Sequence, residues 1–360
     1  MSPPPHLPGS YLVMELTNRC NLACVHCAVS EEDHPHHRQT GFLDPALAEA
    51  VFSDLAAAGA KFDSLVLFWL GEPLLHPHFT ELFRNALRHA VSDGIFGKIE
   101  VHTNAVLLSE STVCGMLNDA AVPQVIHFSL DAEKPETYRV IKGRDRLAAA
   151  TANAEKFLDG KAASGARWPR PVFQFIVGSN NAGEARAFRN RWEEACKRRG
   201  IPVSAAAGHV PPGEDAVVFF RQLDCPTAEE QEKENSVFHA AMAEQGLEVP
   251  VQPAGGVVSE ENLTPCSGFW KSPVIDWTGN VTVCTRDNGL DNRIGNLVDS
   301  TFSQLWWGAA QAETRKRVAG GDYGGLGLCS TCFIPRSLNH SLLSPQDIER
   351  QAQYDTGTRP

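Results

Sequence analysis

The sequence predicts an α/β protein with a parallel β-sheet, followed by a smaller unit that contains closely spaced cysteines. Segments typical of strands alternate with segments typical of helices from Tyr11 to about Ala205, which is the pattern of a parallel sheet covered by helices. One strand segment, residues 64–69, is almost wholly apolar, as in a strand buried on both faces. The chain of 360 residues is long enough for one large α/β domain and a second, smaller one.

The strand and helix segments follow one another regularly in the first half of the chain. The helix at 79–90 is the clearest, because its apolar residues recur at the spacing of one buried helix face. Asp44 and Pro45 are typical of a first helical turn, and we expect this helix to continue to about Leu55. The alternation indicates parallel strands with right-handed crossovers, and periodicity leaves open whether the sheet is open or curved into part of a barrel. The predicted strands are 11–16, 64–69, 98–102, 124–130, 172–177 and 201–205, and the remaining helices are 109–118, 146–158 and 184–199.

The regular pattern is interrupted between Pro211 and Asn262. Prolines, glycines and an acidic run predict a linker there, with one helix at 228–245. The second unit follows, with a hairpin around Thr278-Gly279-Asn280 and a helix at 302–318. The predicted divisions are an N-terminal tail at 1–10, the α/β core at 11–210, the linker at 211–262, the second unit at 263–340 and a polar tail at 341–360.

The overall composition excludes several classes of protein. The first ten residues lack the basic and apolar regions of a signal peptide, and no apolar run is long enough to span a membrane, so we expect a cytoplasmic protein. The net charge of −11 argues against a nucleic-acid partner, which requires lysines and arginines to neutralise phosphates. Ten cysteines in a chain of this length predict metal ligands in a reducing compartment rather than a disulfide scaffold.

Three cysteines lie close together in the loop that follows the first predicted strand. Cys20, Cys24 and Cys27 have x3 and x2 spacing, and three thiolates on one short loop can hold three irons of a 4Fe-4S cluster. The fourth iron then has no protein ligand, which indicates a chemical role for the cluster. The alternatives are a structural zinc site, which requires four ligands, and a chance cluster of cysteines.

The spacing of these cysteines, together with Asn21-Leu22 and His26 between them, resembles the cluster loop of radical S-adenosylmethionine (SAM) enzymes. The resemblance covers roughly residues 11–207 and implies a six-stranded partial (β/α)6 TIM-like barrel. Its active site would lie at the carboxyl ends of the strands, as in other barrels. The resemblance also implies a SAM-binding 4Fe-4S cluster, SAM itself and an external one-electron reductant such as flavodoxin or ferredoxin.

Polar segments at the ends of three predicted strands are candidates for contacts with SAM. The Gly-Glu-Pro segment after the second strand is similar to the GGEP segment of the family, with Leu70 in place of the first glycine. In similar enzymes that segment contacts the amino group of SAM, and residues after the fourth strand contact its ribose. Each of these residues, taken alone, is also typical of a turn or a helix cap. The candidates are Gly71, Glu72, Pro73, Asn104, Ser129 and Asp131.

Four more cysteines lie in the second unit. Only the last two form the pair typical of zinc sites, so a zinc ion held by all four is the alternative interpretation. The spacing Gly279-x4-Cys284 and the closing Cys-x2-Cys resemble the SPASM/twitch extension of radical SAM enzymes, although the thiols that a full SPASM domain has after Cys332 are missing. The resemblance implies one auxiliary 4Fe-4S cluster with four protein ligands, and hence electron transfer. The ligands would be Cys266, Cys284, Cys329 and Cys332.

The resemblance also predicts the reaction in outline. A 5'-deoxyadenosyl radical, formed by reductive cleavage of SAM, would remove a hydrogen atom from the substrate. Because the first strand begins at about Tyr11, no leader-binding domain fits before it. We therefore expect a small polar substrate, such as a sugar, aminocyclitol or nucleoside of a natural-product pathway, and favour oxidation of an alcohol carbon with the auxiliary cluster as electron acceptor. The alternatives are an epimerase in which Cys225 donates a hydrogen atom, a peptide-modifying enzyme with a separate recognition protein, and a non-enzymatic Fe-S or zinc scaffold protein.

Overall fold

The computed structural model describes most of the chain. The predicted linker residues 250–262 and the predicted tail residues 341–342 and 358–360 lie outside the described part. The described residues are 3–30, 39–225, 227–249, 263–336 and 343–357.

The described residues contain one sheet of ten strands. Its spatial order is β10-β9-β8-β1-β2-β3-β4-β5-β7-β6, and the pairs from β8 to β6 in this order are parallel. The strands are β1 (Tyr11–Met14), β2 (Ser64–Val66), β3 (Ile99–Thr103), β4 (Gln124–Ser129), β5 (Arg170–Val177), β6 (Val203–Ala207), β7 (Ala216–Gln222), β8 (Val274–Ile275), β9 (Asn280–Thr282) and β10 (Gly295–Asn296).

Helices connect the parallel strands and cover one face of the sheet. In the second of them, Phe79, Leu82, Phe83 and Ala86 are buried against the sheet, as the helical spacing predicts. The helices are α1 (Pro45–Ala58), α2 (Phe79–Ser92), α3 (Glu110–Met116), α4 (Pro135–Lys142), α5 (Leu147–Ser164), α6 (Ala185–Lys197), α7 (Ala228–Ala243), α8 (Gly268–Lys271), α9 (Phe302–Trp306), α10 (Ala309–Ala319) and α11 (Pro345–Thr356).

The two faces of the sheet have different neighbours. In β3, Ile99 and Val101 belong to the large apolar core beneath the helices. Because side chains alternate along a strand, Glu100 and His102 lie on the opposite, inner face. The α/β fold with a mostly parallel sheet, consistent with a partial TIM-like barrel, is thus confirmed.

Strand β7 was not predicted from the sequence. It lies within the segment interpreted as a linker, and it inserts between β5 and β6 in parallel register with both. Residues 216–220 are all buried. The Pro211-Pro212-Gly213 turn before β7 is typical of a linker, so this short apolar run was not predicted as a strand. The helix predicted at 228–245 is present as α7.

The second unit continues the sheet of the first. Strand β8 pairs in parallel with β1 and in antiparallel with β9, so the predicted hairpin is present at the edge of the α/β core. Phe269 and Trp306 of the second unit are buried in the same apolar core as the first strands. The two units are therefore packed as one continuous structure.

The predicted polar tail contains helix α11. Its first turn has a capping box, in which Ser344 and Asp347 satisfy each other's backbone N–H groups, with Pro345 at the first helical position. Asp347 forms a buried ion pair with Lys271 of α8, at 2.9 Å. These contacts attach the end of the chain to the second unit. Within the described ranges, the structure contains no helix with the length and hydropathy needed to cross a membrane.

Candidate active site

The loop after β1 places three cysteines at the edge of one cavity. Cys20, Cys24 and Cys27 all line this cavity, which has a volume of about 310 Å³. The loop is fixed by backbone hydrogen bonds from Ala23 to Lys142 O (3.0 Å) and from Val25 to Ile141 O (2.9 Å), at the end of α4. Burial raises the pKa of the Cys20 thiol to about 12 and also raises the pKa of Cys24. Buried thiols of this kind ionise when they bind a metal centre.

The glycine of the predicted Gly-Glu-Pro segment is required by close packing. A Cβ atom at Gly71 would lie 2.1 Å from the carbonyl oxygen of Thr17 and 2.6 Å from that of Arg19. The next residue, Glu72, donates its N–H to the same Arg19 carbonyl at 2.8 Å. The segment therefore lies directly against the start of the cysteine loop.

Glu72 connects the ends of β2 and β3. Its buried carboxylate accepts hydrogen bonds from the Thr103 hydroxyl at 2.7 Å, the Asn104 N–H at 2.8 Å and the Leu74 N–H at 3.0 Å. Burial raises the pKa of this carboxyl to about 7. Pro73 begins the short 3-10 turn that Glu72 caps.

The remaining candidates for SAM contacts also lie around the cavity. Asn104 donates a hydrogen bond to the Asn21 side chain at 2.8 Å, which ties β3 to the cysteine loop. The Ser129 hydroxyl accepts a hydrogen bond from Gln174 at 3.3 Å. Gly71, Glu72, Asn104, Ser129 and Asp131 are all part of the cavity lining.

Asp131 forms a buried ion pair that the sequence analysis did not identify. One carboxylate oxygen contacts the Lys142 ammonium, and the other accepts the Ile176 N–H at 2.7 Å. Burial opposes the charge of Lys142, but the neighbouring Asp131 carboxylate holds the pKa of this ammonium above its usual range. Both Asp131 oxygens thus have protein partners, although the residue lines the cavity.

The four cysteines of the second unit converge on a second site. Burial raises the pKa of Cys284 to about 12, and the nearby Cys266 and Cys332 thiols add to the effect. Burial and the other three thiols also raise the pKa of Cys329. The Asn292 side chain lies 3.3 Å from the Cys329 sulfur, and the Arg286 N–H lies 3.4 Å from the Cys284 sulfur. N–H donors to thiolate sulfurs are a common feature of Fe-S sites.

The spacing of the sulfurs differs from that of a zinc site. In tetrahedral zinc with bonds of 2.3 Å, the sulfurs would be about 3.8 Å apart. Within the part of the chain that the structure describes, no group of three or more potential ligands within 4.8 Å of one another includes a cysteine. No three thiols of either set therefore lie as close together, in the described residues, as the ligands of a bound zinc ion would.

The two cysteine sites are linked by Trp69 and Leu70. The Trp69 indole N–H donates to the carbonyl of Thr285, next to Cys284, at 2.9 Å. The Leu70 carbonyl lies 3.9 Å from the Cys27 sulfur. Consecutive residues after β2 therefore contact both sites.

Cys225 lies between β7 and α7, next to the cavity but not among the described residues that line it. It is buried, its N–H donates to the Gln231 side chain at 2.9 Å, and its carbonyl accepts from Arg286 at 3.2 Å. Burial raises the pKa of its thiol. Leu223 and Glu234 line the cavity on either side of it in the sequence, whereas Cys225 is not among the described lining residues.

The sequence analysis missed several polar residues of the cavity. Three of them lie on parallel strands, where the period of two could have identified the inner face, and the other two lie on α4 and α7. Their types carry no spacing motif of their own. The residues missed are His102, Lys142, Gln174, Arg221 and Glu234.

Comparison with known proteins identifies the two units. Residues 14–178 match the model of the radical SAM superfamily, and residues 266–333 match that of the SPASM iron-sulfur cluster-binding domain. The chain therefore contains a radical SAM domain followed by a SPASM iron-sulfur cluster-binding domain. These two domains imply SAM, a 4Fe-4S cluster that binds SAM, and auxiliary iron-sulfur cluster binding as the cofactors.

Relatives of known function resemble the chain over different lengths. The GTP 3',8-cyclase of Chlorobaculum tepidum is 34% identical over 137 residues, which is 38% of this chain and 37% of the relative. The GTP 3',8-cyclase of Desulforamulus reducens is 30% identical, and the chain again covers 37% of its length. The mycofactocin maturase MftC of Mycobacterium ulcerans is 24% identical over 337 residues, covering 89% of this chain and 81% of the relative.

Solved structures confirm the fold. The structure of anSMEcpe with bound AdoMet and the Cp18Cys peptide has a TM-score of 0.55 and 16% identity, over 98% of this chain and 97% of the other. The S-adenosylmethionine complex of SuiB from Streptococcus suis has a TM-score of 0.54 and 14% identity, over 85% of this chain and 66% of SuiB. At this level of identity the similarity concerns the fold alone.

Proposed function

We propose that Cys20, Cys24 and Cys27 hold the SAM-binding cluster and that the four cysteines of the second unit hold one auxiliary 4Fe-4S cluster. The convergence of each set and the spread of their sulfurs support this assignment. When bound, the first cluster and SAM supply a 5'-deoxyadenosyl radical that removes a hydrogen atom from the substrate. An external one-electron reductant, such as flavodoxin or ferredoxin, would be the electron source.

The residues around the cavity would bind and orient SAM. Gly71 leaves room for the cysteine loop to lie directly against the Gly71-Glu72-Pro73 segment, whose backbone would hold the methionine end of SAM. Ser129 is the candidate for the ribose, because its hydroxyl has a single, long hydrogen bond to Gln174 at 3.3 Å. Asn104 and Asp131 would act mainly by holding the loop and the end of β4 in place.

The substrate is, in our proposal, a small polar molecule whose alcohol carbon is oxidised to a carbonyl. The cavity that would hold SAM also extends over residues that are not SAM candidates. Its lining carries hydrogen-bonding and charged groups beyond the SAM candidates, which suits a hydroxylated substrate. These groups are His102, Gln174, Arg221 and Glu234.

The observation that carries the dehydrogenase proposal is the connection between the two cysteine sites. Oxidation of an alcohol leaves one electron to be removed after the hydrogen atom and the proton have gone. The Trp69-Leu70 pair contacts both sites. This contact supports electron transfer between the two cysteine sites.

The position of Cys225 argues against the epimerase alternative. A hydrogen-atom donor must reach the substrate carbon, and Cys225 is absent from the described lining of the cavity. Its backbone contacts with Gln231 and Arg286 give it a structural role at the start of α7.

Peptide modification is the second candidate function. It is supported by the length of the similarity to MftC, a maturase, and by the fold shared with anSMEcpe, which was solved with a bound peptide.

An anaerobic reaction in deuterium oxide separates these functions. The reconstituted protein, SAM and dithionite would be incubated with pooled sugars, aminocyclitols and nucleosides, and in parallel with pooled short peptides containing Ser or Cys. We expect a product two mass units lighter from the first pool, without non-exchangeable deuterium, and equal yields from wild type and Cys225→Ala. An isomeric product with one deuterium, lost in Cys225→Ala, would establish the epimerase instead, and consumption of peptides alone would establish the second candidate.

A further inference from the structure

A group of ionisable side chains lies on the inner face of β3 and β4, below the candidate active site. His102 and His127 are direct neighbours in the parallel register of the two strands. Their rings stack with centroids 4.1 Å apart, and His102 also stacks on Phe68 at 5.3 Å. Of the two imidazoles, only His102 belongs to the described lining of the cavity.

Glu100 lies behind both histidines. Its carboxylate is 3.4 Å from the His127 Nε2 atom and 4.0 Å from the His102 Nε2 atom. On its other side, Lys98 forms an ion pair with it at 2.8 Å. The Nδ1 atom of His127 is buried and has no hydrogen-bond partner among the described residues.

The arrangement favours proton chemistry over metal binding. Glu100, His102 and His127 are close enough to share a metal ion. However, the Lys98 ammonium already neutralises the carboxylate, and two stacked, nearly parallel imidazoles direct their lone pairs side by side rather than toward one point. Convergent lone pairs are what tetrahedral or octahedral metal sites require.

The electrostatics of the group assign different roles to its members. Burial opposes the charge of Glu100, but the imidazoles of His102 and His127 and the Lys98 charge hold the pKa of this carboxyl well below its usual range. Burial lowers the pKa of His127 to about 4, so this ring is neutral near pH 7. At 4.0 Å, the Glu100 carboxylate can stabilise a His102 imidazolium through its charge rather than through a direct hydrogen bond.

We propose that His102 accepts the hydroxyl proton of the alcohol substrate, and that Glu100 and His127 position its imidazole and stabilise the imidazolium that forms. This inference rests on the proposed alcohol oxidation. In that reaction bound SAM would supply the radical that takes the C–H hydrogen atom, a ring nitrogen of His102 takes the O–H proton, and a cluster held by the four cysteines of the second unit would take the remaining electron. The carbon–oxygen double bond forms as these three leave, so that atoms and electrons balance.

Other charged groups share the surroundings of His102. Lys98 and Glu100 lie on its own strand and His127 on β4, while Arg221 of β7 and Glu234 of α7 line the same cavity. Glu100 is the nearest anion to His102 among the described ion pairs, so its removal should have the largest effect.

The first test requires no substrate. The cluster-containing protein would be treated with diethyl pyrocarbonate, which modifies neutral imidazoles, and modification of His102 would be located by peptide fragment masses across pH 5 to 8. Glu100→Gln should change the rate at which His102 is modified, because the carboxylate that positions its imidazole is lost. The exposed His239→Gln variant, on α7, should leave this rate unchanged. An unchanged rate in Glu100→Gln, or a His102 that is unreactive throughout, would overturn the site.

The second test measures how much lighter product forms for each 5'-deoxyadenosine in the reaction with the pooled alcohols. His102→Gln should form 5'-deoxyadenosine normally but about 100-fold less of the lighter product, as expected for loss of a general base. Added imidazole should partly restore product formation in His102→Ala, and the iron content of both variants reports folding. An unchanged ratio of product to 5'-deoxyadenosine would overturn the role of His102. Absence of any lighter product in the wild type would instead overturn the proposed function, whatever the modification experiment shows.

Discussion

At the scale of single residues, the candidate site is held by contacts that leave no room for substitution. Gly71 meets the backbone of the cysteine loop, and a Cβ atom there would overlap the Thr17 carbonyl at 2.1 Å. Asp131 and Lys142 form a buried ion pair beneath the cavity. Gly71 could be predicted from the sequence because the Gly-Glu-Pro segment is distinctive. Lys142 belongs to no motif, and it is placed next to Asp131 only by the packing of α4 against the cysteine loop.

Gly71→Ala should displace the cysteine loop. Overpacking of this kind costs about 1–3 kcal/mol, and here the nearest atoms are backbone. We expect a lower iron content after reconstitution and weaker SAM binding, measured by iron analysis and equilibrium dialysis. The matched control is Gly183→Ala, where a Cβ atom would meet nothing within 4 Å. Equal behaviour of the two variants would contradict the close packing.

Asp131→Ala should destabilise the fold in addition to any effect on SAM. Removing one partner of a buried ion pair leaves an uncompensated charge, which costs about 3–5 kcal/mol. The free energy of unfolding in urea should therefore fall in the single variant and recover partly in Asp131→Leu/Lys142→Met. If the single variant keeps its stability and loses only SAM affinity, Asp131 acts as a ligand contact rather than as a structural ion pair.

At the scale of elements, the strands and helices with strong periodicity could be predicted from the sequence. Strand β7 and helix α11, which lack such a pattern, could not. Strand β7 follows a proline-rich turn, and its burial depends on pairing with β5 and β6. Helix α11 is largely polar, and it is stabilised by ion pairs such as Asp347–Lys271 rather than by an apolar stripe. In both cases tertiary contacts, which the local pattern does not contain, decide the structure.

The junction between β1 and β8 provides a pH-dependent prediction. Burial, with help from nearby Asp276, raises the pKa of Glu15 to about 8, whereas an unfolded glutamate titrates near 4.5. The unfolded chain therefore binds fewer protons between pH 4.5 and 8, and the contribution of Glu15 to stability falls as the pH rises through this window. Glu15→Gln cannot ionise at this position, so the melting temperature of the variant should rise relative to that of the wild type as the pH increases from 5 to 8. The exposed Glu232→Gln variant should show no such trend, and a constant difference for Glu15→Gln would contradict the argument.

At the scale of the whole molecule, the SPASM region extends the sheet of the radical SAM core. The shared strand pair β1–β8 and the common apolar core keep the two cysteine sites at a fixed separation. The presence of both sites could be predicted from cysteine spacing. Their connection through Trp69 could not, because its partner Thr285 lies far along the sequence.

The iron content tests the assignment of two separate clusters. We expect about eight irons and eight sulfides per chain after anaerobic reconstitution. Cys329→Ala/Cys332→Ala should lose about half of the iron and keep SAM binding, because its substitutions lie outside the described lining of the cavity. Stoichiometric zinc in oxygen-free preparations would contradict the auxiliary cluster.

The central claim is that the cysteine loop after β1 directs radical chemistry on SAM. Its most direct test is the amount of 5'-deoxyadenosine formed from SAM and dithionite by the reconstituted protein, compared between Cys24→Ala and a control at the exposed Cys114. We predict that the wild type and Cys114→Ala form 5'-deoxyadenosine at equal rates and that Cys24→Ala forms none above background. Equal formation by Cys24→Ala, or none by the wild type, would contradict the account.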